Sequence, residues 1–217
     1  MNRRLPEGGT LAAIVLAAGA ASRFGGPKLL APIDGMPIIR KTVVNAFAAG
    51  LANVAVVVAP GADEVRAALR GLPVRFVVNE CHAEGIGASI RAGIGALNPG
   101  TAAAFILLGD QPTVAPGILD RLVGAYERSG KPIVVPVYDG VRGNPVLFDA
   151  SLFPELARSS GDRGARDLIE RSPALVARVD FPFPPPLDVD TPEDYARLIG
   201  AGRPAAPTPR SRPGRRR

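Results

Sequence analysis

What constrains this chain most is a regular exchange between short, unbroken apolar runs and stretches with helical spacing. Leu11-Ala-Ala-Ile-Val-Leu-Ala17 is apolar throughout and is followed at once by Ala18 and Gly19. A run of that length without a helical period reads as a strand buried on both faces. Comparable runs recur at 54–59, 74–78, 103–108 and 133–137. Helical signals fill the gaps: 37–49 begins with Pro37 and is followed by Gly50, 62–69 is closed by Gly71, 86–97 places Ile86, Ile90, Ile94 and Leu97 on one face, and 116–129 begins with Pro116. Strands that are apolar on both faces need cover on both faces. The pattern therefore predicts an α/β fold of three layers around a mostly parallel sheet.

Sheets of this kind bind ligands beyond the carboxyl ends of their strands, which directs attention to the loops after Ala17, Val78 and Leu108. Past Val137 the pattern loosens, with extended pieces expected at 144–148 and 175–181 and a short helix at 192–199. That region is expected to supply antiparallel edge strands and a substrate-facing lobe. The expected organisation is an N-terminal lead at 1–10, one domain at 11–200 and a disordered Pro/Arg-rich tail at 201–217. The net charge of +6 resides in that tail, which carries Arg203, Arg210, Arg212, Arg215, Arg216 and Arg217 and no acid, so residues 1–200 are electrically balanced. A nucleic-acid partner therefore loses its main argument, and the chain lacks the aromatic platforms that single-strand binders use.

A single cysteine, Cys81, excludes an internal disulfide, and a single histidine, His82, excludes a zinc site built mainly from Cys and His. His82 reads as a loop-surface residue and Cys81 as a small buried one. No apolar run approaches the ~18 residues needed to span a bilayer, so no membrane partner is expected. Arg3 and Arg4 ahead of the apolar run at 11–18 imitate a secretory signal, but the run is better used as the first strand, and a cytoplasmic location is expected.

The loop Gly19-Ala-Ala-Ser-Arg-Phe-Gly-Gly-Pro-Lys28 combines small residues, which allow backbone N–H groups close to an anion, with the hydroxyl of Ser22 and the cations Arg23 and Lys28. That is phosphate-binding chemistry, although neither a P-loop nor a dinucleotide fingerprint is present. The alternative is a flexible turn with solvated charges. The fourth strand ends in Leu107-Leu-Gly-Asp-Gln-Pro112. A carboxylate at the end of a buried parallel strand suits Mg²⁺ held by a polyphosphate, the alternative being a helix cap. In Leu187-Asp-Val-Asp-Thr-Pro-Glu-Asp-Tyr195, Thr191 caps the last helix, Glu193 and Asp194 occupy its first turn, and Asp190 is preferred over Asp188 as a second metal carboxylate.

These segments, with Gly143-Asn-Pro-Val-Leu-Phe148 and Gly161-Asp-Arg-Gly-Ala-Arg166, resemble in order the molybdenum cofactor cytidylyltransferases and their guanylyltransferase relatives, the MobA-like nucleotidyltransferases. The resemblance spans about residues 11–199. It implies a Rossmann-like nucleotidyltransferase fold that binds a nucleoside triphosphate with Mg²⁺ and transfers the NMP to a phosphate acceptor. Leu16, Ala17, Ala18, Gly19, Ser22, Arg23, Lys28, Asn79, Gly85, Ser89 and Asp110 would bind the nucleotide, with Gly87 also in the base-reading loop. Arg23, Lys28 and Asp110 would be catalytic, and Asp110 and Asp190 would hold the metal. Gln111, Pro112, Gly143, Asn144, Arg163 and Arg166 would face the acceptor, the alternative for the two arginines being ion pairs with Asp162 and Asp167.

Leu-Ala-Ala-Gly at 16–19, the Gly-Asp-Gln-Pro turn and the acidic Asp-Val-Asp-Thr-Pro segment are similar to the cytidylyl members, which makes CTP the expected donor and molybdopterin the expected acceptor. A molybdenum hydroxylase or its maturation factor is the implied partner protein. The alternatives are GTP, another phosphorylated acceptor such as a sugar phosphate, a same-fold NAD(P)H-dependent oxidoreductase resembling nicotine blue reductase, and a non-catalytic cofactor carrier.

Overall fold

The computed structural model describes residues 9–19 and 23–201. Ser22, most of the lead and residues 202–217 lie outside the described residues. In chain order the elements are β1 (Thr10–Ala17), a 3-10 turn (Lys28–Leu30), β2 (Pro32–Ile33), β3 (Met36–Pro37), α1 (Ile38–Ala48), β4 (Asn53–Val58), α2 (Asp63–Ala68) and β5 (Val74–Val78). Then come α3 (Ile86–Gly95), β6 (Thr101–Leu108), α4 (Pro116–Ser129), β7 (Ile133–Tyr138), β8 (Val141–Arg142) and β9 (Val146–Asp149). The chain closes with α5 (Phe153–Leu156), α6 (Arg166–Arg171), β10 (Val176–Phe181) and α7 (Pro192–Ala201).

The main sheet runs β10-β7-β9-β6-β1-β4-β5, with β8 on β7. Pairs β1–β4, β1–β6, β4–β5 and β7–β10 are parallel, while β9 is antiparallel to β6 and β7. Successive residues of β1 serve opposite layers. Ala13 and Val15 pack with α1 and α4, including Val43, Leu119 and Leu122, and Ala12 and Ile14 pack with Ile90, Ile94, Leu156 and Ile169 from α3, α5 and α6. The α/β three-layer expectation therefore holds, and it follows from strands with no polar face to leave in water.

The expectation of antiparallel edge strands is corrected. The antiparallel strand β9 lies inside the sheet, and the edge strand β10 runs parallel to β7. All residues of β9 are buried, and a strand so covered belongs between two neighbours. A third, small apolar cluster joins Ile33, Ile38, Val189 and Leu198 with Phe24, Leu29 and Tyr195. It ties the glycine-rich loop and the short β2–β3 hairpin to α7, using residues far apart in the chain. Among the described residues no helix is long and apolar enough to cross a membrane.

Candidate active site

The carboxyl ends of β1 and β6 are locked together: the Gly109 N–H donates to the Leu16 carbonyl at 2.9 Å. The turn that follows β6 is then bolted to α1. The Thr42 hydroxyl donates to the Gly109 carbonyl at 3.2 Å, and the Asn45 amide donates to the carbonyls of Pro112 and Val114 at 3.1 and 3.0 Å. Sequence reasoning missed both residues. Their signal was a polar pair three apart on a helix face that otherwise carries Ile38, Ile39, Val43 and Ala46. Between these anchors the turn presents Asp110 outward, its side chain only 18% exposed.

Asp190 reaches the same point from the other end of the chain. The Val189 N–H donates to the Asp110 carbonyl at 3.2 Å, and the Val189 side chain is fully buried. Beyond it Thr191 and Asp194 form a reciprocal capping box. The Asp194 carboxylate accepts from the Thr191 N–H and hydroxyl, both at 2.9 Å, and the Thr191 hydroxyl accepts from the Asp194 N–H at 3.1 Å. Those hydrogen bonds hold the Asp194 carboxyl below the ordinary carboxylate range. Asp194 is spent on structure, while the Asp190 carboxylate faces the site.

Lys28, at the start of the 3-10 turn after Pro27, joins the two carboxylates. Its Nζ donates to Asp110 Oδ2 at 2.6 Å and to Asp190 Oδ1 at 2.7 Å, and Arg23 lies 3.6 Å from Asp190 Oδ2. Burial disfavours the charged ammonium, but the hydrogen bonds and charges of Asp110 and Asp190 outweigh it and hold the Lys28 pKa above its ordinary value. Arg23 is 75% exposed, so its cation is mostly in water. Gly19 is exposed beside this centre, whereas Ala17 and Ala18 are buried and close the end of β1.

Asp188 is held by the turn rather than by Lys28. It accepts from Gln111 Nε2 at 2.6 Å, and burial raises its pKa above the usual carboxylate value. Gln111 is 4% exposed and Pro112 is also buried, so both build the turn that carries Asp110. Asn79 and Ser89 are likewise inward, with the Asn79 amide donating to the Ser89 hydroxyl at 3.0 Å.

Cys81 is exposed, which corrects the expectation of a buried residue. Its N–H donates to Asn79 Oδ1 at 3.1 Å in a tight turn that carries the following residues outward, and His82 is exposed in the same turn.

Gly85 and Gly87 have a packing cause. A Cβ on Gly87 would stand 2.6 Å from three backbone atoms of Ser160, and the Gly87 N–H already donates to the Gly161 carbonyl at 2.9 Å. Gly85 has φ +96°, which disfavours any side chain. The loop after β5 is thus zipped onto the loop before α6.

That second loop borders a cavity of about 240 Å³, walled by Ile86, Ile90, Leu108 and Phe148, with Asn144 and Arg166 also lining it. Gly143 lies against the Tyr138 ring, and the Tyr138 hydroxyl donates to the Asn144 carbonyl at 2.8 Å. The two arginines part company. Arg163 is paired with Asp167 and Glu170, while Arg166 has no acidic partner among the described residues. The ion-pair alternative therefore describes Arg163.

Comparison with known proteins gives a consistent picture. The family model of the MobA-like NTP transferase domain matches residues 13–179. The chain is 33% identical over 196 residues to nicotine blue oxidoreductase of Paenarthrobacter nicotinovorans, covering 86% of this chain and 95% of that protein. It is 37% identical over 153 residues to the bifunctional protein GlmU of Sorangium cellulosum, spanning 65% of this chain but only 32% of that protein. The crystal structure of Rv0371c from Mycobacterium tuberculosis H37Rv superposes with a TM-score of 0.81 at 33% identity, covering 89% of this chain and 99% of that one. The same protein has also been solved in complex with manganese, and that structure matches with a TM-score of 0.74.

Proposed function

The chain belongs to the MobA-like NTP transferase domain family, enzymes of the nucleotidyltransferase type, and we propose that its reaction is Mg²⁺-dependent transfer of CMP from CTP to the terminal phosphate of molybdopterin. The observation that carries this reading is the convergence of Lys28, Asp110 and Asp190 beyond the carboxyl ends of β1 and β6. Two carboxylates suit a hard divalent ion whose other ligands are phosphate oxygens and water. Among the described residues no group of three or more acidic, Cys or His side chains could hold an ion by itself. Asp110 and Asp190 would hold the metal, and the manganese complex of Rv0371c supports divalent-ion use. Once bound, the ion supplies charge neutralisation at the α-phosphate.

The protein's own groups do the rest. Lys28 and Arg23 neutralise the departing pyrophosphate, and the backbone at Gly19 lies against the phosphates. An acceptor phosphate is already an anionic nucleophile, so its oxygen attacks the α-phosphorus without a general base, and the bond from that phosphorus to the bridging oxygen of the β-phosphate breaks. The cavity beside Asn144 and Arg166 would receive the acceptor, with Arg166 as a cation that has no acidic partner among the described residues. The preference for CTP rests on the resemblance at 16–19, 109–112 and 188–192.

Incubation with α-labelled CTP, Mg²⁺ and molybdopterin should release pyrophosphate and label the acceptor, and Asp110→Ala should abolish both. Absence of turnover with every nucleoside triphosphate would sink the proposal. GTP or another phosphorylated acceptor giving the faster reaction would move the specificity within the same chemistry. The match to nicotine blue oxidoreductase over nearly its full length favours a second reading, reduction of a heteroaromatic by a nicotinamide nucleotide. A rise in melting temperature with NADPH but not CTP would select it.

A further inference from the structure

Lys28 stands where a cation between the two carboxylates would stand. Its Nζ lies 2.6 Å from Asp110 Oδ2 and 2.7 Å from Asp190 Oδ1, so the ammonium fills the point on which both acids converge. Resting on the reading of this centre as a metal–nucleotide site, we propose that Lys28 and the divalent ion compete for that point, so that metal binds tightly only with the polyphosphate that draws Lys28 away.

Three observations carry this. The Lys28 side chain is only 11% exposed, so its charge is held by the two carboxylates more than by water. Arg23 approaches the second carboxylate as well, 3.6 Å from Asp190 Oδ2. A bare divalent ion therefore meets carboxylate oxygens that Lys28 already engages. No cluster of three or more ligating side chains among the described residues compensates for this.

A nucleoside triphosphate changes both sides of the competition. Its oxygens give Lys28 and Arg23 a new partner, which releases Asp110 and Asp190. They also complete the coordination that two carboxylates leave open. Metal and nucleotide then tighten each other's binding by the same factor, because the linkage is reciprocal.

The test uses the full chain with Mn²⁺ as probe, read by electron paramagnetic resonance of protein-bound ion, with and without a non-hydrolysable CTP analogue. Wild type should bind bare Mn²⁺ weakly and gain about tenfold or more when the analogue is present. Lys28→Met should bind bare Mn²⁺ about tenfold more tightly than wild type and lose most of the coupling. Lys28→Arg, which keeps a cation at the site, should stay weak. Equal affinity of wild type and Lys28→Met for bare Mn²⁺ would overturn the competition. If Lys28→Met fails to fold, the wild-type pair of measurements decides, and an analogue that leaves Mn²⁺ affinity unchanged overturns it. Failure of wild type to bind Mn²⁺ with the corresponding analogue of any nucleoside triphosphate would instead remove the metal–nucleotide reading, so the two failures are distinguishable.

Discussion

Replacing Gly87 with alanine tests whether the two loops over the site are held together by backbone contact. The new Cβ would stand 2.6 Å from the N, Cα and C of Ser160, where ordinary contact is 3.4–4 Å, so the loop must retreat by roughly 1 Å. Overpacking of this kind costs about 1–3 kcal/mol, and stretching the Gly87–Gly161 hydrogen bond adds about 1 kcal/mol. Alanine returns up to about 1 kcal/mol through helix propensity, because Gly87 is the second residue of α3. The net loss is about 1–3 kcal/mol, or roughly 2–12 °C in melting temperature for a domain of this size. Gly95, at the exposed end of the same helix, has nothing within 4 Å of its Cβ position, so Gly95→Ala should be neutral or stabilising. Parallel thermal melts by circular dichroism decide the matter. A Gly87→Ala protein as stable as wild type, or a Gly95→Ala protein equally damaged, would refute the packing argument.

Asn45→Leu should cost about 2 kcal/mol in urea unfolding, since the carbonyls of Pro112 and Val114 lose their donor, and nucleotidyl transfer should fall with it because the turn carries Asp110. Burial raises the Tyr138 pKa, so its stabilising contribution is complete below the unfolded value of about 10 and is lost as pH rises above it. Tyr138→Phe should therefore move alkaline unfolding to higher pH, and an unchanged alkaline limb in a fluorescence-monitored titration would contradict that sign. Removal of residues 202–217 should leave nucleotidyl transfer nearly unchanged, since the cations at the site are Arg23 and Lys28, and a large drop in kcat would assign the tail to the site.

The fold was legible because its signal is local. Continuous apolar runs mark strands covered on both faces, and each of the first five predicted strands lies within two residues of an observed one. The place of β9 was not legible, because a four-residue buried strand does not reveal its neighbours. At the site, Lys28, Asp110 and Asp190 were readable as residue types suited to a triphosphate and its ion. Their convergence depends on the Val189–Asp110 bond, which spans 79 positions of the chain and leaves no local trace. Glycines at 85 and 87 suggested an opening for a base, and their absent side chains also make room for Ser160 and Gly161. Sequence shows that a side chain is missing but not which neighbour needs the space.

The last strand of the sheet ends at Phe181 and the matched family span ends at 179, yet the second acid of the site is Asp190. As the chain leaves the ribosome, the sheet has all its strands before the cation site has both its carboxylates. Without the segment that follows the last strand, Lys28 has Asp110 but not Asp190 to hold it. The second carboxylate that holds Lys28 is thus added to the chain only after the last strand of the sheet.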